Sequence, residues 1–545
     1  MTSPSALVDR YLAFHGQFRP VDLTFMGLPG HDHRLPPAGP DVAAQEGAAL
    51  ETLQAELEQV LASPASRTPG EQTDLRLLDG QLRHLRAELD RAPRFRNPAW
   101  YTGEAAFGLI SLLLPRPDGS AQEVQVGLQG RLEELPRFFG EAAEQLVQAA
   151  LPADWSTRAA QEARALARFL SEELWLHPDV TRVPALVAAA ERGAAAALHL
   201  AGRLQGELSG QPDVPVACGE AHLELLMRQV HGLPFGPREA LARAEAAFMR
   251  LSDELTEDAR AFGQDWREVL RGLDAVRPEP ATLVATYEYW HRQALEAAEA
   301  NGLVTGAQDY DLTFTPMPAW ARQVSRELYF LFYRSPAAAR AGQGSVYWVV
   351  EDEPLPSVSF IKLVHAVHHG SVGHHTQNAF ARRAESRLAR LGGTDGALGL
   401  VFLSSGTAVE GWACYAEDLL LEAPGFYTPE EALMLKSFER RNAACCVADL
   451  RLHMGDWSLE DMRDYYRAEV GFPEARVWGE STRNSMLPAT RLMYWLGTEQ
   501  IRALRAASPG HPRAVHDWAL SHGHAPIHWL TPDDVPRPLL HGGLS

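Results

Sequence analysis

The stretch Leu50-Glu51-Thr52-Leu53-Gln54-Ala55-Glu56-Leu57-Glu58-Gln59-Val60-Leu61 decides the class of fold. Its leucines recur every three or four residues, which gathers them into one stripe of an α-helix while Glu and Gln cover the rest. Leu75, Leu78, Leu82, Leu85 and Leu89 repeat the pattern, and the segment 63–70, with Pro64 and Pro69, breaks the two runs apart. The same periodicity predicts helices over 130–175, 180–208, 218–230, 236–272 and 280–302. Alanine runs such as Ala194-Ala195-Ala196-Ala197 suit close helix packing. Prolines near 93–98, 210–216 and 316–318 predict loops between helices.

Strand signals are few. Thr313-Phe314-Thr315 and Val346-Tyr347-Trp348-Val349-Val350 are rich in aromatic and β-branched residues and predict a small sheet. An edge of such a sheet could hold a substrate backbone by strand addition. The expected fold is therefore mainly α, a large multi-helix array with a small β-sheet beside the site. An N-terminal helical region is expected over 1–280 and a metal-binding region over 281–545, the two forming one continuous unit.

With 70 acidic against 50 basic residues, the net charge is −20. Such a surface repels phosphate backbones and argues against nucleic acid as a partner. Lysine occurs only at Lys362 and Lys436, so arginine carries nearly all the positive charge. The four cysteines, Cys218, Cys414, Cys445 and Cys446, lack CxxC spacing and read as buried thiols in a reducing compartment. No apolar run of ~18 residues suggests a membrane span, and no basic segment followed by an apolar one opens the chain. The expectation is a cytoplasmic protein without a membrane partner.

The chemistry lies in Lys362-Leu363-Val364-His365-Ala366-Val367-His368-His369-Gly370-Ser371-Val372-Gly373-His374-His375-Thr376-Gln377. Five histidines so close together fit a site for zinc or a similar divalent ion. On a regular helix His365 and His369 share a face, as do His368 and His375. His368 and His374 would lie about 240° apart and converge only if Gly370 and Gly373 let the helix bulge. Spacing alone leaves the ligand set open. A carboxylate is expected to complete it, and Glu410-Gly411-Trp412-Ala413-Cys414-Tyr415-Ala416-Glu417 offers two, nearly on one face. Glu410 is the better candidate; Glu417 reads as a supporting or alternative ligand.

These segments resemble the bacterial proteins grouped as domain-of-unknown-function family 885, which are similar to gluzincin-type zinc metallopeptidases. That family shows His-Glu-x-x-Pro-Gly-His-His-x-Gln where this chain has His368 to Gln377. The Glu-Gly-Trp-Ala-x-Tyr-Ala-Glu motif is intact at 410–417. Asp449, His453 and Trp457 match an Asp-x-x-x-His-x-x-x-Trp element, and Arg483, Pro488, Tyr494 and Gly497 match a later pattern. Weaker likeness covers Arg131 to Leu146 and the Gly27-Leu28-Pro29-Gly30 loop.

The resemblance implies a gluzincin-like architecture in which His368, His374 and Glu410 hold one zinc ion. It also implies that Arg483 and Tyr494 bind a substrate carboxylate or steady an oxyanion. The chain departs from the family at two positions: His369 replaces the Glu expected as general base, and Val372 replaces the Pro. A neutral His can still accept a proton near pH 7, with Glu417 the alternative base. The expected activity is zinc-dependent hydrolysis of an amide bond in a peptide or peptide-like small molecule. The alternatives are a catalytically silent metal- or ligand-binding pseudopeptidase and a non-hydrolytic metal-dependent enzyme.

Overall fold

The computed structural model describes the chain except residues 1–2, 92, 117–118, 308–309, 328–331, 341–343, 395, 397–405 and 537–545. Helices dominate it, as the leucine periodicity predicts. The first decisive stretch lies in helix Val42–Ala62 and the second in Pro69–Arg91. Thr68 caps the second helix, accepting from the Glu71 amide at 3.2 Å while the Glu71 carboxylate accepts from the Thr68 amide at 2.9 Å. Helices Ala121–Val147, Ala153–Ser171, Pro184–Gln205, Glu220–Leu225, Pro237–Asp258, Trp266–Ala275 and Leu283–Ala300 fall in the other expected ranges, of which 130–175 and 236–272 are each divided in two.

One long helix escapes the periodicity. Pro98–Leu113 is buried along its whole length, so it has no polar face and no stripe to read. The prolines expected to mark a loop at 93–98 instead begin helices: Pro93–Arg96 is one helical turn, and Pro98 is the first residue of the next helix. Proline suits that position because its missing N–H would be unpaired there anyway.

The sheet has three strands in the order β1-β3-β2, with β1 at Leu312–Pro316, β2 at Tyr333–Arg334 and β3 at Ser345–Val349. β1 runs parallel to β3 and β2 antiparallel to it. The sheet packs against the histidine-rich segment: the Tyr347 hydroxyl bonds His365 Nδ1, and Ser345 Oγ lies 3.3 Å from His375 Nδ1.

Cores on both sides of residue 280 interlock. Met317, Trp320 and Trp348 pack with helices of the first 208 residues. Leu388, Leu391 and Ala525 join the core of the N-terminal helices, and Leu223 to Leu251 share a core with Ala443 to Leu496. Arg131 is fully buried and acts as a clamp on the 27–34 loop. It donates to Thr24 Oγ1 at 2.6 Å, to Ser111 Oγ at 3.0 Å and to the carbonyls of His31 and Arg34 at 3.3 and 3.0 Å.

Candidate metal centre

The histidine segment is not a regular helix. Residues Ile361–His369 form a wide π-type turn, Gly370 breaks it at φ −95°, ψ −145°, and a second such turn runs Ser371–His375 around Gly373 at φ −80°, ψ −128°. Gly373 is required by close approach, since a Cβ there would sit 1.9 Å from the His368 carbonyl oxygen. Side chains secure the break: Ser371 Oγ donates to the Ala366 carbonyl at 2.7 Å, Thr376 Oγ1 to the Ser371 carbonyl at 2.6 Å, and Trp412 Nε1 to the Val372 carbonyl at 2.9 Å.

The break sorts the five histidines into three roles. His365 and His375 are core residues: one stacks on Tyr287 at 5.3 Å, the other on Tyr310 at 5.0 Å, and burial pushes both down to about 3. His368 and His374 come together with their rings 5.0 Å apart and nearly perpendicular. His369 lies between, half-buried, with its ring 4.9 Å from His368 and 6.1 Å from His374.

Helix Gly406–Leu419 brings the carboxylates to this point. Glu410 Oε2 lies 3.7 Å from His368 Nε2 and 3.7 Å from His374 Nε2, and the three donor atoms all fall within 4.8 Å of one another. That spacing is too long for hydrogen bonds. It is close to the ~3.4 Å between two donors that share one tetrahedral ion at about 2.1 Å. The outer ring nitrogens are held as metal-ligating histidines need. His368 Nδ1 donates to Glu417 Oε1 at 2.7 Å. His374 Nδ1 faces Gln377 Oε1 at 3.2 Å, and Gln377 Nε2 donates to the Ala408 carbonyl at 2.8 Å, which fixes the amide's orientation. Both Nε2 lone pairs therefore point at the Glu410 carboxylate.

Electrostatics agree with a cation site. Burial alone would pull the His368 imidazole down, but Cys414, Glu410 and Glu417 outweigh it and hold its pKa well above the ordinary value. Burial would raise Glu410, but His368 and His374 hold it far below the usual carboxylate range. The donors favour positive charge between them. A second grouping, His368 with Cys414 and Glu417, also lies within 4.8 Å. Glu417 is already bonded to His368, and burial pushes the Cys414 thiol up to about 11, so the first grouping is the better cradle.

These residues open on a cavity of about 840 Å³. His368, His369, His374, Glu410, Glu417 and Tyr494 all line it. The Glu417 carboxylate is occupied with His368, which makes it a positioning group for that ring. Arg483, in helix Glu474–Met486, is not among the lining residues; Arg491, 5.6 Å above the Tyr494 ring, is. Tyr494 approaches because helices Gly406–Leu419 and Leu492–Ala507 cross at two glycines, where a Cβ on Gly497 would meet the Thr407 carbonyl oxygen at 2.2 Å. Asp449 secures the turn before the second helix, accepting from the amides of Arg491 at 2.8 Å and Leu492 at 3.2 Å. His453 Nε2 donates to the Asn484 carbonyl at 2.9 Å.

Tyr333, stacked 6.5 Å from His374, and Arg441, Asn442 and Arg476 also line the cavity, and sequence reasoning passed over all four. Tyr333 lies in a two-residue strand, too short for any pattern. Phe438, Arg441, Asn442 and Cys445 follow the i, i+3, i+4, i+7 spacing of one helix face, a signal present in the sequence that a mixed polar composition hides.

No curated protein matches the chain. Two solved structures share the fold at 17% identity. The first is titled "The structure of a putative lipoprotein of unknown function from Shewanella oneidensis." Its TM-score is 0.77, over 97% of this chain and 99% of that one. The second is titled "The crystal structure of the putative lipoprotein from Colwellia psychrerythraea". Its TM-score is 0.74, over 97% of this chain and 98% of that one. Both relatives are described as putative lipoproteins, a description that overturns the expected cytoplasmic location. That expectation leaned on the lack of a long apolar segment. Among the described residues no helix is long and apolar enough to cross a membrane, but a lipid anchor needs none. Matched over residues 20–532, the chain belongs to the family described as "Bacterial protein of unknown function (DUF885)".

Proposed function

We propose that the chain is a zinc-dependent hydrolase of an amide bond in a peptide or peptide-like substrate, built on a gluzincin-like plan. The observation that carries this reading is the convergence of His368 Nε2, His374 Nε2 and Glu410 Oε2, with Glu417 and Gln377 behind the two rings. Two imidazoles and one carboxylate are a common catalytic zinc set, which leaves a coordination position free. When bound, the ion supplies Lewis acidity towards the carbonyl and acidifies the attacking water.

The remaining steps belong to the chain. His369 is the basic side chain nearest the centre that neither holds the ion nor braces a ligand. It accepts the water's proton and returns it to the leaving amine. Burial, followed by the charges of His368 and His365, holds its pKa well below the ordinary value, so it is neutral and able to accept. The Tyr494 hydroxyl, whose pKa burial raises, stays protonated and donates to the developing oxyanion. Arg491 at the cavity wall, and Arg483, whose charge also reaches Tyr494, are the candidate groups for a substrate carboxylate. The lipoprotein titles of the two solved relatives support an extracytoplasmic or membrane-anchored setting.

The presence of His369 where the family carries its general-base Glu favours a second reading, a silent pseudopeptidase that keeps the cradle. Incubating the zinc-loaded protein with a mixed peptide library separates the two. Cleavage that His374→Ala abolishes supports the hydrolase. No cleavage by the native protein, with cleavage by His369→Glu, supports the pseudopeptidase.

A further inference from the structure

The chain carries a net charge of −20, yet seven arginines and only three acidic residues line the cavity. Two of those acids, Glu410 and Glu417, are engaged with the histidines. The excess concentrates on one wall. Arg441 projects from helix Pro429–Met454, Arg476 from helix Glu474–Met486, and Arg491 from the turn that opens helix Leu492–Ala507. Glu480 is the shared counter-ion: it pairs with Arg491 and lies 3.6 Å from Arg476. Arg441 makes no ion pair or hydrogen bond among the described residues; its guanidinium packs 4.5 Å from the Phe438 ring.

Like charges gathered with too few counter-ions cost stability. Burial first, and then Arg476, lower the pKa of Arg441; burial and then Arg491 do the same to Arg476. A fold keeps such a cluster at a cavity wall when something else supplies the missing negative charge. Guanidinium presents a planar fork of donors that matches a carboxylate.

We propose that Arg441, Arg476 and Arg491 form an anion subsite that binds a carboxylate of the substrate while the scissile amide lies at the histidine centre. The position of the amide rests on the hydrolase reading; binding of the carboxylate does not. The carboxylate has two sources in a peptide, its C-terminus or an acidic side chain. One class of substrate contains both: a short acidic or C-terminally anchored peptide whose charge the surface repels and the cavity accepts.

The test is calorimetric titration of the full chain after EDTA treatment, so that no ion contributes. The probes are acetyl-Ala-Ala-Ala with a free C-terminus, the same peptide as its amide, and acetyl-Ala-Glu-Ala-amide. Tighter binding of either acid than of the neutral amide, by about tenfold or more, supports the subsite, and the tighter acid identifies the source. Arg441→Gln and Arg476→Gln are expected to erase that preference. The thermal midpoint of Arg441→Gln is expected to hold or rise, because repulsion is relieved. A structural arginine would instead lower the midpoint and leave the preference intact, which overturns the proposal. Equal binding of acid and amide by the native protein overturns it as well. Failure of zinc to bind would defeat the hydrolase reading alone, since these titrations contain no metal.

Discussion

Glu417 and Gln377 each hold the Nδ1 of one histidine, and so decide where its Nε2 points. Removing such a partner typically costs ~10–100-fold in metal affinity. Glu417→Ala is therefore expected to weaken zinc binding by about that factor in a chelator competition, with the secondary structure unchanged; unaltered affinity would show that Glu417 does not orient His368. Asp449 offers a pH test away from the centre. Burial raises its pKa to about 7 against the accepted amides of Arg491, Leu492 and Ala489, while the unfolded chain titrates near the ordinary 3.8. Between these values the unfolded state has lost the proton and the folded state has kept it, so this group's contribution to stability falls as pH rises through that window. Asp449→Asn keeps the acceptor and cannot ionise. Denaturant titrations should find it gaining on the native protein from pH 4 to pH 7, by ~1–3 kcal/mol. A constant difference across that range would count against the assignment.

The elements that carry the site are bent where they touch it. Gly373→Ala would force a Cβ against the His368 carbonyl. Overpacking of this kind costs ~1–3 kcal/mol, and the two histidines would separate. The expected result is a lower thermal midpoint together with loss of zinc, and a variant that keeps both would refute the role given to the break. The sequence made this element legible only in part. Gly370 and Gly373 announced that the helix could loosen, but the direction of the bulge depends in part on Trp412, which acts across space from another helix. The Glu410–Glu417 helix was readable from its motif. The helix Pro98–Leu113 was not, because burial on every side removes the periodicity on which such reading depends. The glycines at 411 and 497 stood in view, but their contact joins helices far apart in sequence.

On the scale of the whole molecule, the interlocked cores predict one cooperative unit. Trp320 and Trp348 pack among N-terminal helices, and Leu388 and Leu391 among another set. Expressing 1–280 and 281–545 separately should yield fragments that lack the native circular dichroism, and a fragment that folds alone would contradict this. Composition made the acidic surface plain, but it could not reveal that seven arginines line the cavity, because charge counts carry no direction. The leucine stripes, the small sheet and the histidine segment were all open to a reader of the sequence. What joins them into a site is the three-dimensional crossing of two segments, the broken histidine stretch that carries His368 and His374 and the helix that carries Glu410.

That crossing is tested most directly by elemental analysis of untagged protein offered zinc and then dialysed, comparing the native chain with His374→Ala. The account predicts about one equivalent of zinc in the native protein and a loss of most of it in the variant. No stoichiometric metal in the native protein, or equal metal in both, would contradict it.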